Sequence, residues 1–158
     1  MNWSLKQATV GDYDYLWQLH QDTMRIYVEE TWGWDESVQH KFFRDKFVPE
    51  DYQLLLLDDT VVGCLQIRWH IHELHIENIQ IEPAHQGNGL GSVIIRSLLE
   101  RALEKRRDVS LRVLKCNPAL RLYQRLQFEP TIETDTHVSL AWKHRKHLSL
   151  EHEDGDKT

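Results

Sequence analysis

The sequence predicts a mixed α/β fold, an α+β mixed sheet built in the order β-α-α-β-β-β-α-β-α-β-β. Three observations carry that reading. Short apolar runs alternate with polar residues, as strands do. Longer stretches repeat apolar residues at three- and four-residue spacing, as helices do. Glycine, proline and aspartate punctuate the boundaries between them. The order lacks the steady strand–helix alternation of a doubly wound dinucleotide fold.

Residues 3–9 read as the first strand. Gly11-Asp12 opens a helix with Asp12 as its N-cap. Leu16, Leu19, Thr23, Met24 and Tyr27 form its buried stripe. Trp32-Gly33-Trp34 interrupts it, and Asp35 caps a second helix that runs to about Lys46, ahead of Pro49. Residues 52–57 and 61–69 are strands joined by the tight turn Asp58-Asp59-Thr60. Residues 74–81 make a third consecutive strand, which Pro83 stops. An amphipathic helix follows over about 90–106, with Leu90, Val93, Ile94, Leu98 and Ala102 on its apolar side. Residues 109–114 return to strand. Asn117 caps a short helix over 118–126 with Pro118 at its first position. Ile132 and the run 138–142 supply the two closing strands. The expected division is one domain over residues 1–143 and a polar extension over 144–158, partly disordered and frayed from about His152. A tail helix docked through Leu148 and Leu150 is the alternative.

Composition bounds the function. A chain of 158 residues, 41% apolar and 28% charged, is the size and make-up of one soluble globular domain. No apolar run reaches the ~18–20 residues of a membrane span, so no membrane partner is expected. The N-terminus lacks the basic start and apolar stretch of a signal peptide. Cys64 and Cys116 make neither a disulfide framework nor a metal-ligand spacing, and a reducing cytoplasm is the natural compartment. The net charge of −6 argues against nucleic acid as a general partner, because phosphate neutralisation needs a basic surplus.

The most informative segment is Glu82-Pro83-Ala84-His85-Gln86-Gly87-Asn88-Gly89-Leu90-Gly91-Ser92. A strand ends, a glycine-rich turn follows and a helix begins at once. The first turn of a helix offers N–H donors without intrahelical partners at the positive end of its dipole. Glycines let that backbone close around an oxyanion, which makes an anion site suited to a pyrophosphate. A Walker loop would need a Gly-Lys-Ser/Thr ending, and a dinucleotide fingerprint a Gly-x-Gly-x-x-Gly spacing; neither is present.

Gln86-Gly87-Asn88-Gly89-Leu90-Gly91 resembles the Gln/Arg-x-x-Gly-x-Gly/Ala motif of the GNAT superfamily, the GCN5-related N-acetyltransferases. Asn117-Pro118-Ala119-Leu120-Arg121-Leu122-Tyr123 through Phe128 resembles the later Asn-x-x-Ala…Leu-Tyr…Gly-Phe segment of that family. The resemblance covers about residues 3–143. One position departs from it: Gln127 stands where the family has Gly before Phe. A glycine there supplies a left-handed residue as the helix ends, and Gln adopts that conformation at a cost of about 1 kcal/mol.

The resemblance implies the GNAT acyl-CoA N-acyltransferase fold and acetyl-CoA as co-substrate, with the acetyl group passing to a primary amine of a small molecule or a peptide amino group. Backbone amides of Gln86, Gly87, Asn88, Gly89, Leu90, Gly91 and Ser92 would hold the CoA pyrophosphate. The pantetheine arm would add as a strand against Ile79 and Ile81. Tyr123 would protonate the departing thiolate, and Asn117 would cap its helix, bond the CoA arm, or both. Direct attack by an amine calls for a general base. Glu77 is the first candidate, since it shares a strand face with Ile79 and Ile81, and an apolar setting would raise its pKa. His75, on the same face, is its rival, with His72 weaker. Tyr27, Glu29, Glu30, Trp32 and Trp34 would shape the acceptor pocket or else pack the two helices together. A homodimer is compatible with the resemblance. The rival reading from another class is a non-catalytic acyl-CoA-binding or sensing module.

Other features have plainer readings. The histidines of His70-Ile71-His72-Glu73-Leu74-His75 lack the further ligands of a tetrahedral metal site, and no metal is expected. Cys116 carries no mark of an activated nucleophile. Arg101, Lys105, Arg106 and Arg107 suit the negative end of a helix dipole.

Overall fold

The computed structural model describes residues 1–148. Among them, strands and helices follow one another as expected: β1 (Trp3–Gln7), α1 (Tyr13–Trp32), α2 (Glu36–Lys46), β2 (Gln53–Leu57), β3 (Thr60–Trp69), β4 (Glu73–Ile81), α3 (Leu90–Glu104), β5 (Asp108–Leu114), α4 (Ala119–Arg125), β6 (Glu129–Glu133) and β7 (His137–Trp142). The strands form one mixed sheet in the order β1-β2-β3-β4-β5-β7-β6. β4 and β5 run parallel, whereas β1–β2, β2–β3, β5–β7 and β6–β7 are antiparallel. The chain packs as two compact units, Met1–Ile67 with Glu77–Gly91, and Arg68–Ile76 with the chain from Ser92 onward.

In the first unit, Ala8, Leu16, Leu19, Tyr52, Leu54 and Cys64 form a buried cluster that Phe43 and Phe47 pack against. The stripe of α1 is Leu16, Leu19 and Val28; Thr23, Met24 and Tyr27 are only half-buried. Asp12 does not cap α1 through its side chain. Its carboxylate reaches back to the Thr9 amide at 2.8 Å, and a 3-10 turn, Val10–Asp12, leads into the helix. Gly33 ends α1 with φ 84°. Asp35 caps α2 as expected, accepting from the Val38 amide at 3.0 Å and the Ser37 hydroxyl at 2.9 Å. Those bonds, the Val38 amide foremost, hold its carboxyl below the usual range. Asp58 and Asp59 both adopt left-handed backbone, φ 48° and 65°, as a two-residue hairpin between twisted strands demands.

Gly63, inside β3, has a reason that lies across the sheet. A Cβ there would run into the backbone carbonyl of Gln80 on β4. The two backbones meet too closely for any side chain, a use of glycine that strand interiors reserve for such approaches.

In the second unit the buried residues include the inward positions of β4, β5 and β7 (Leu74, Ile76, Val109, Leu111, Val138, Leu140, Trp142), Ile94, Ile95, Leu98 and Ala102 of α3, and Tyr123, Leu126 and Phe128 around the end of α4. The chain past β7 is tied down for several residues. Asp108 accepts from the His144 amide at 3.0 Å, from its ring at 2.7 Å and from Lys143 at 3.3 Å. Burial pushes the Asp108 carboxyl up, but these bonds outweigh it and keep it low. His147 stacks on Trp142 with centroids 4.6 Å apart. The expectations for docking through Leu150 and fraying from His152 lie outside the described residues. No helix among the described residues is long and apolar enough to cross a membrane.

Replacing Gly63 by Ala forces β3 off β4 and lowers stability by about 1–3 kcal/mol, the usual cost of overpacking. The midpoint of denaturant unfolding measures it.

Candidate functional site

In the first unit the site grows out of the end of β4. After Ile81 and Glu82, a 3-10 turn, Pro83–His85, carries the chain into the exposed residues Gln86, Gly87, Asn88 and Gly89, and α3 begins at the buried Leu90. Gly87 and Gly89 take φ 81° and 89°. A side chain is strained at these angles and glycine is not, so the backbone path favours glycine at both positions. A Cβ built on Gly87 meets nothing within 4 Å, and one on Gly89 comes only to 3.6 Å of the Met1 terminal methyl. The glycines therefore shape the turn and leave space above it. The Gln86 side chain donates to the Ile81 carbonyl at 2.8 Å and ties the turn back to the strand it left. Backbone donors, open space and a helix start fit a pyrophosphate.

Along β4, Ile79 and Ile81 are half-buried and Glu77 is exposed. The apolar enclosure expected around Glu77 is absent, because the alternation that brings it beside the isoleucines also turns it to solvent. The opposite face buries Gln80 at 4% exposure, and that side chain anchors a polar chain. Its amide nitrogen lies 3.3 Å from His20 Nδ1 and donates to Asn78 Oδ1 at 3.3 Å; its oxygen accepts from Cys64 Sγ at 3.8 Å. Asn78 in turn donates to Gln66 Oε1 at 3.3 Å. An amide nitrogen only donates, so His20 Nδ1 accepts and Nε2 carries the proton of the neutral ring. Burial favours that neutral form. Burial also pushes the Cys64 thiol up to about 12, which leaves it inert. Just before the turn, Glu82 accepts from the Tyr15 hydroxyl at 2.8 Å, and burial together with this carboxylate raises the Tyr15 phenol.

Tyr27, Trp32 and Trp34 lie elsewhere in this unit, where α1 meets α2. Trp34 stacks near Trp17 at 6.2 Å and donates to Glu36 at 3.1 Å. The cation over its ring is the chain's own Arg25, at 5.4 Å. Trp17 also stacks on His40 at 4.7 Å, within a cluster that includes His20 and Phe43. Trp34 thus touches both α1, through Trp17, and α2, through Glu36. Tyr27 is half-buried and Trp32 is 60% exposed. The residues of this junction that sequence reasoning missed, Trp17, His20 and His40, face inward at spacings that read as ordinary helix core.

In the second unit, Tyr123 is buried in α4. The helix end fixes it. The Phe128 amide donates to the Tyr123 carbonyl at 3.0 Å and the Gln127 amide to Gln124 at 3.0 Å, with Gln127 left-handed at φ 71°. This is a Schellman ending, and its apolar contact is the edge-on pair of Tyr123 and Phe128 rings, 5.7 Å apart. Gln127 fills the left-handed position of that ending without being glycine. Burial pushes the Tyr123 phenol up to about 12, so it keeps its proton through neutral pH. Asn117 Oδ1 accepts from the Ala119 amide at 3.0 Å, capping the start of α4. His75 Nδ1 lies 2.8 Å from Ser110 Oγ, its register partner on β5. Ser92 belongs to the first turns of α3 and is half-buried. His70 and His72 are exposed, and no group of His, Cys, Asp or Glu among the described residues is arranged to hold a metal.

Comparison with known proteins bears on this arrangement. The profile of the acetyltransferase (GNAT) family matches residues 13–128. No curated protein matches the sequence. Among solved structures, the paia N-acetyltransferase of Thermoplasma acidophilum in complex with coenzyme A aligns with TM-score 0.74 and 12% identity, over 90% of this chain and 99% of that one. The ribosomal-protein-S18-alanine N-acetyltransferase of Escherichia coli aligns with TM-score 0.60 and 16% identity, over 89% and 92%. Arabidopsis thaliana Naa50 in complex with the bisubstrate analogue CoA-Ac-MVNAL aligns with TM-score 0.59 and 18% identity, over 90% and 99%. These likenesses place the fold.

Substituting Gln127 by Gly relieves the left-handed backbone and raises stability by about 1 kcal/mol, read from the unfolding midpoint. Above the ordinary phenol pKa of 10.0 the unfolded chain loses the Tyr123 proton while the folded chain keeps it to about 12. Stability contributed by the neutral phenol is therefore full below pH ~10 and falls as pH rises from there. Tyr123→Phe blunts that fall in unfolding measured across the alkaline range.

Proposed function

The chain belongs to the acetyltransferase (GNAT) family, which works on acyl-CoA, and from that membership we propose that it transfers the acetyl group of acetyl-CoA to a primary amine by direct attack. The observation that carries the reading is the turn at Gly87 and Gly89, two left-handed residues that open a helix start to a pyrophosphate. In this proposal the amides of Gln86–Ser92 hold the pyrophosphate. Ile79 and Ile81 offer main-chain groups to the pantetheine arm, and the Asn117 amide nitrogen adds a contact.

The chemistry has three parts. The amine nitrogen attacks the thioester carbonyl, the carbon–sulfur bond breaks, and one proton leaves nitrogen while another reaches sulfur. Tyr123 gives its phenolic proton to the sulfur; its raised pKa keeps it loaded at neutral pH. Glu77 takes the amine proton through water, which its exposure permits. His75, oriented by Ser110, is the other base within the proposal. The acceptor is a small-molecule amine or a peptide amino group. Two structural neighbours point to the latter class by name, one a ribosomal-protein-S18-alanine N-acetyltransferase and one carrying a peptide-based bisubstrate analogue. The proposed setting is the cytoplasm, as one domain over residues 1–143.

Thiol release from acetyl-CoA, measured against amino acids, polyamines, aminoglycosides and peptide N-termini, tests the reading. Gly89→Asp sets a carboxylate over the turn and abolishes CoA binding; unchanged affinity contradicts the site. Tyr123→Phe lowers turnover by about 100-fold or more with CoA affinity kept, and wild-type turnover removes Tyr123 from the mechanism. Glu77→Gln removes the rise of turnover with pH that a base confers, and an unaltered profile moves the role to His75. CoA binding without thiol release for any amine leaves an acyl-CoA-binding module instead.

A further inference from the structure

The polar chain inside the first unit has a direction. Cys64 keeps its thiol proton and donates to Gln80 Oε1 at 3.8 Å. With that oxygen placed, the Gln80 amide nitrogen faces His20 Nδ1 and Asn78 Oδ1, each at 3.3 Å, and donates to both. Asn78 passes the same sense on by donating to Gln66 Oε1 at 3.3 Å. Donation thus runs outward from Cys64 along two branches, one ending on His20 and the other on Gln66. An imidazole that accepts at Nδ1 presents an N–H at Nε2, and an amide that accepts at its oxygen presents its NH2. Both branches finish in N–H groups, and neither finishes in a lone pair.

The chain's own hydrogen bonds use neither end. Among the described residues, His20 Nε2 and Gln66 Nε2 have no partner. No fully buried polar side-chain atom among those residues lacks one, so both ends open to solvent. The two openings differ in surroundings. The His20 ring lies among aromatic rings, with Phe43 at 5.7 Å, Trp17 at 6.0 Å and Trp34 at 6.3 Å between centroids. The indole N–H of Trp34 is already spent on Glu36. Burial disfavours the cationic imidazole, so His20 offers a neutral donor. Set among rings, that donor makes a stronger hydrogen bond than it would in open water.

Position gives the donor a use. Gln80 stands in β4 between Ile79 and Ile81, the residues proposed to hold the pantetheine arm, and His20 bonds Gln80 directly. A group held by His20 is therefore one side chain away from the strand that would present the thioester. An ammonium is itself only a donor and finds nothing to bond at such an end. An oxygen does.

We propose that His20 Nε2–H holds an oxygen of the acceptor substrate, and that the acceptor is an amine whose neighbouring carbon bears a carbonyl or carboxylate. Peptide amino ends and amino acids have that oxygen, and polyamines lack it. Gln80 and Cys64 are positioning residues, which keep His20 in the tautomer that donates. The inference rests on the acetyl-transfer reading for the amine, while the oxygen site is read from the polar chain and is tested by binding alone.

Alaninamide and isopropylamine are the probes. They share a methyl group and an amine-bearing carbon, and only the first carries a carbonyl. In the full chain with isotope-labelled histidine, with and without coenzyme A, alaninamide is expected to move the His20 Nε2 NMR signal saturably and isopropylamine is not. His20→Gln assigns the signal. Alanine in place of alaninamide separates the two oxygen sources, and the tighter binder names the one preferred. In the thiol-release assay, His20→Phe lowers the ratio of kcat/KM for alaninamide to that for isopropylamine by about three- to tenfold, the worth of one hydrogen bond. His20→Gln, whose amide accepts from Gln80 and donates outward, keeps the wild-type ratio. A His20 signal that neither alaninamide nor alanine moves overturns the oxygen site, as does an equal response to isopropylamine or a ratio untouched by His20→Phe. Absence of thiol release with every amine overturns the acetyl-transfer reading instead, and the binding result then decides the oxygen site by itself.

Discussion

A helix cannot bond the first N–H groups of its own backbone, and the use of that constraint organises this molecule. α3 starts where a strand has just ended, and the two are joined by a turn that runs through left-handed backbone twice, at Gly87 and Gly89. With side chains there, the path would be strained and the donors covered. Without them the helix start is exposed, and the buried Leu90 holds it in place. Gln86 steadies the approach by bonding the Ile81 carbonyl. Main-chain donors and the helix dipole supply positive potential at this turn without a basic patch, which suits the diphosphate proposed for it.

A second backbone device holds the proposed acid. Tyr123 accepts the long bond that closes α4, and its ring packs edge-on against Phe128, the residue that donates that bond. One motif thus sets both the main chain and the side chain of the tyrosine. The same enclosure that positions the phenol raises its pKa, so placement and proton retention share one cause. Gln127 shows that the motif tolerates a side chain at the left-handed position when neighbouring contacts favour the turn.

What was legible in the sequence was local. The aspartates at 58 and 59, Gly33, the Asp35 cap, the glycine turn and the Asn117 cap all depend on a few consecutive residues, and each appears with the geometry its residue types dictate. What was hidden depends on residues far apart in the chain. Nothing near Gly63 marks the approach of the Gln80 carbonyl, and the His20–Gln80 pair joins residues sixty positions apart. Strand alternation placed Glu77 on the face of Ile79 and Ile81 but could not tell that this position faces solvent. Two tryptophans beside glutamates suggest a place for a cation, and Arg25, nine positions earlier in the chain, lies over the Trp34 ring. The basic residues at the end of α3 suit its dipole, and the Trp69 ring that meets them comes from β3, far away in the chain.

The central claim is that main-chain amides of residues 86–92 hold the diphosphate of coenzyme A. It is tested most directly by recording backbone amide NMR shifts of that segment as coenzyme A, and separately pantetheine, is added. The account predicts large downfield shifts at Gly87 through Ser92 with coenzyme A and none of that size with pantetheine, which lacks the diphosphate. Saturation with coenzyme A that leaves those amides unmoved would contradict it.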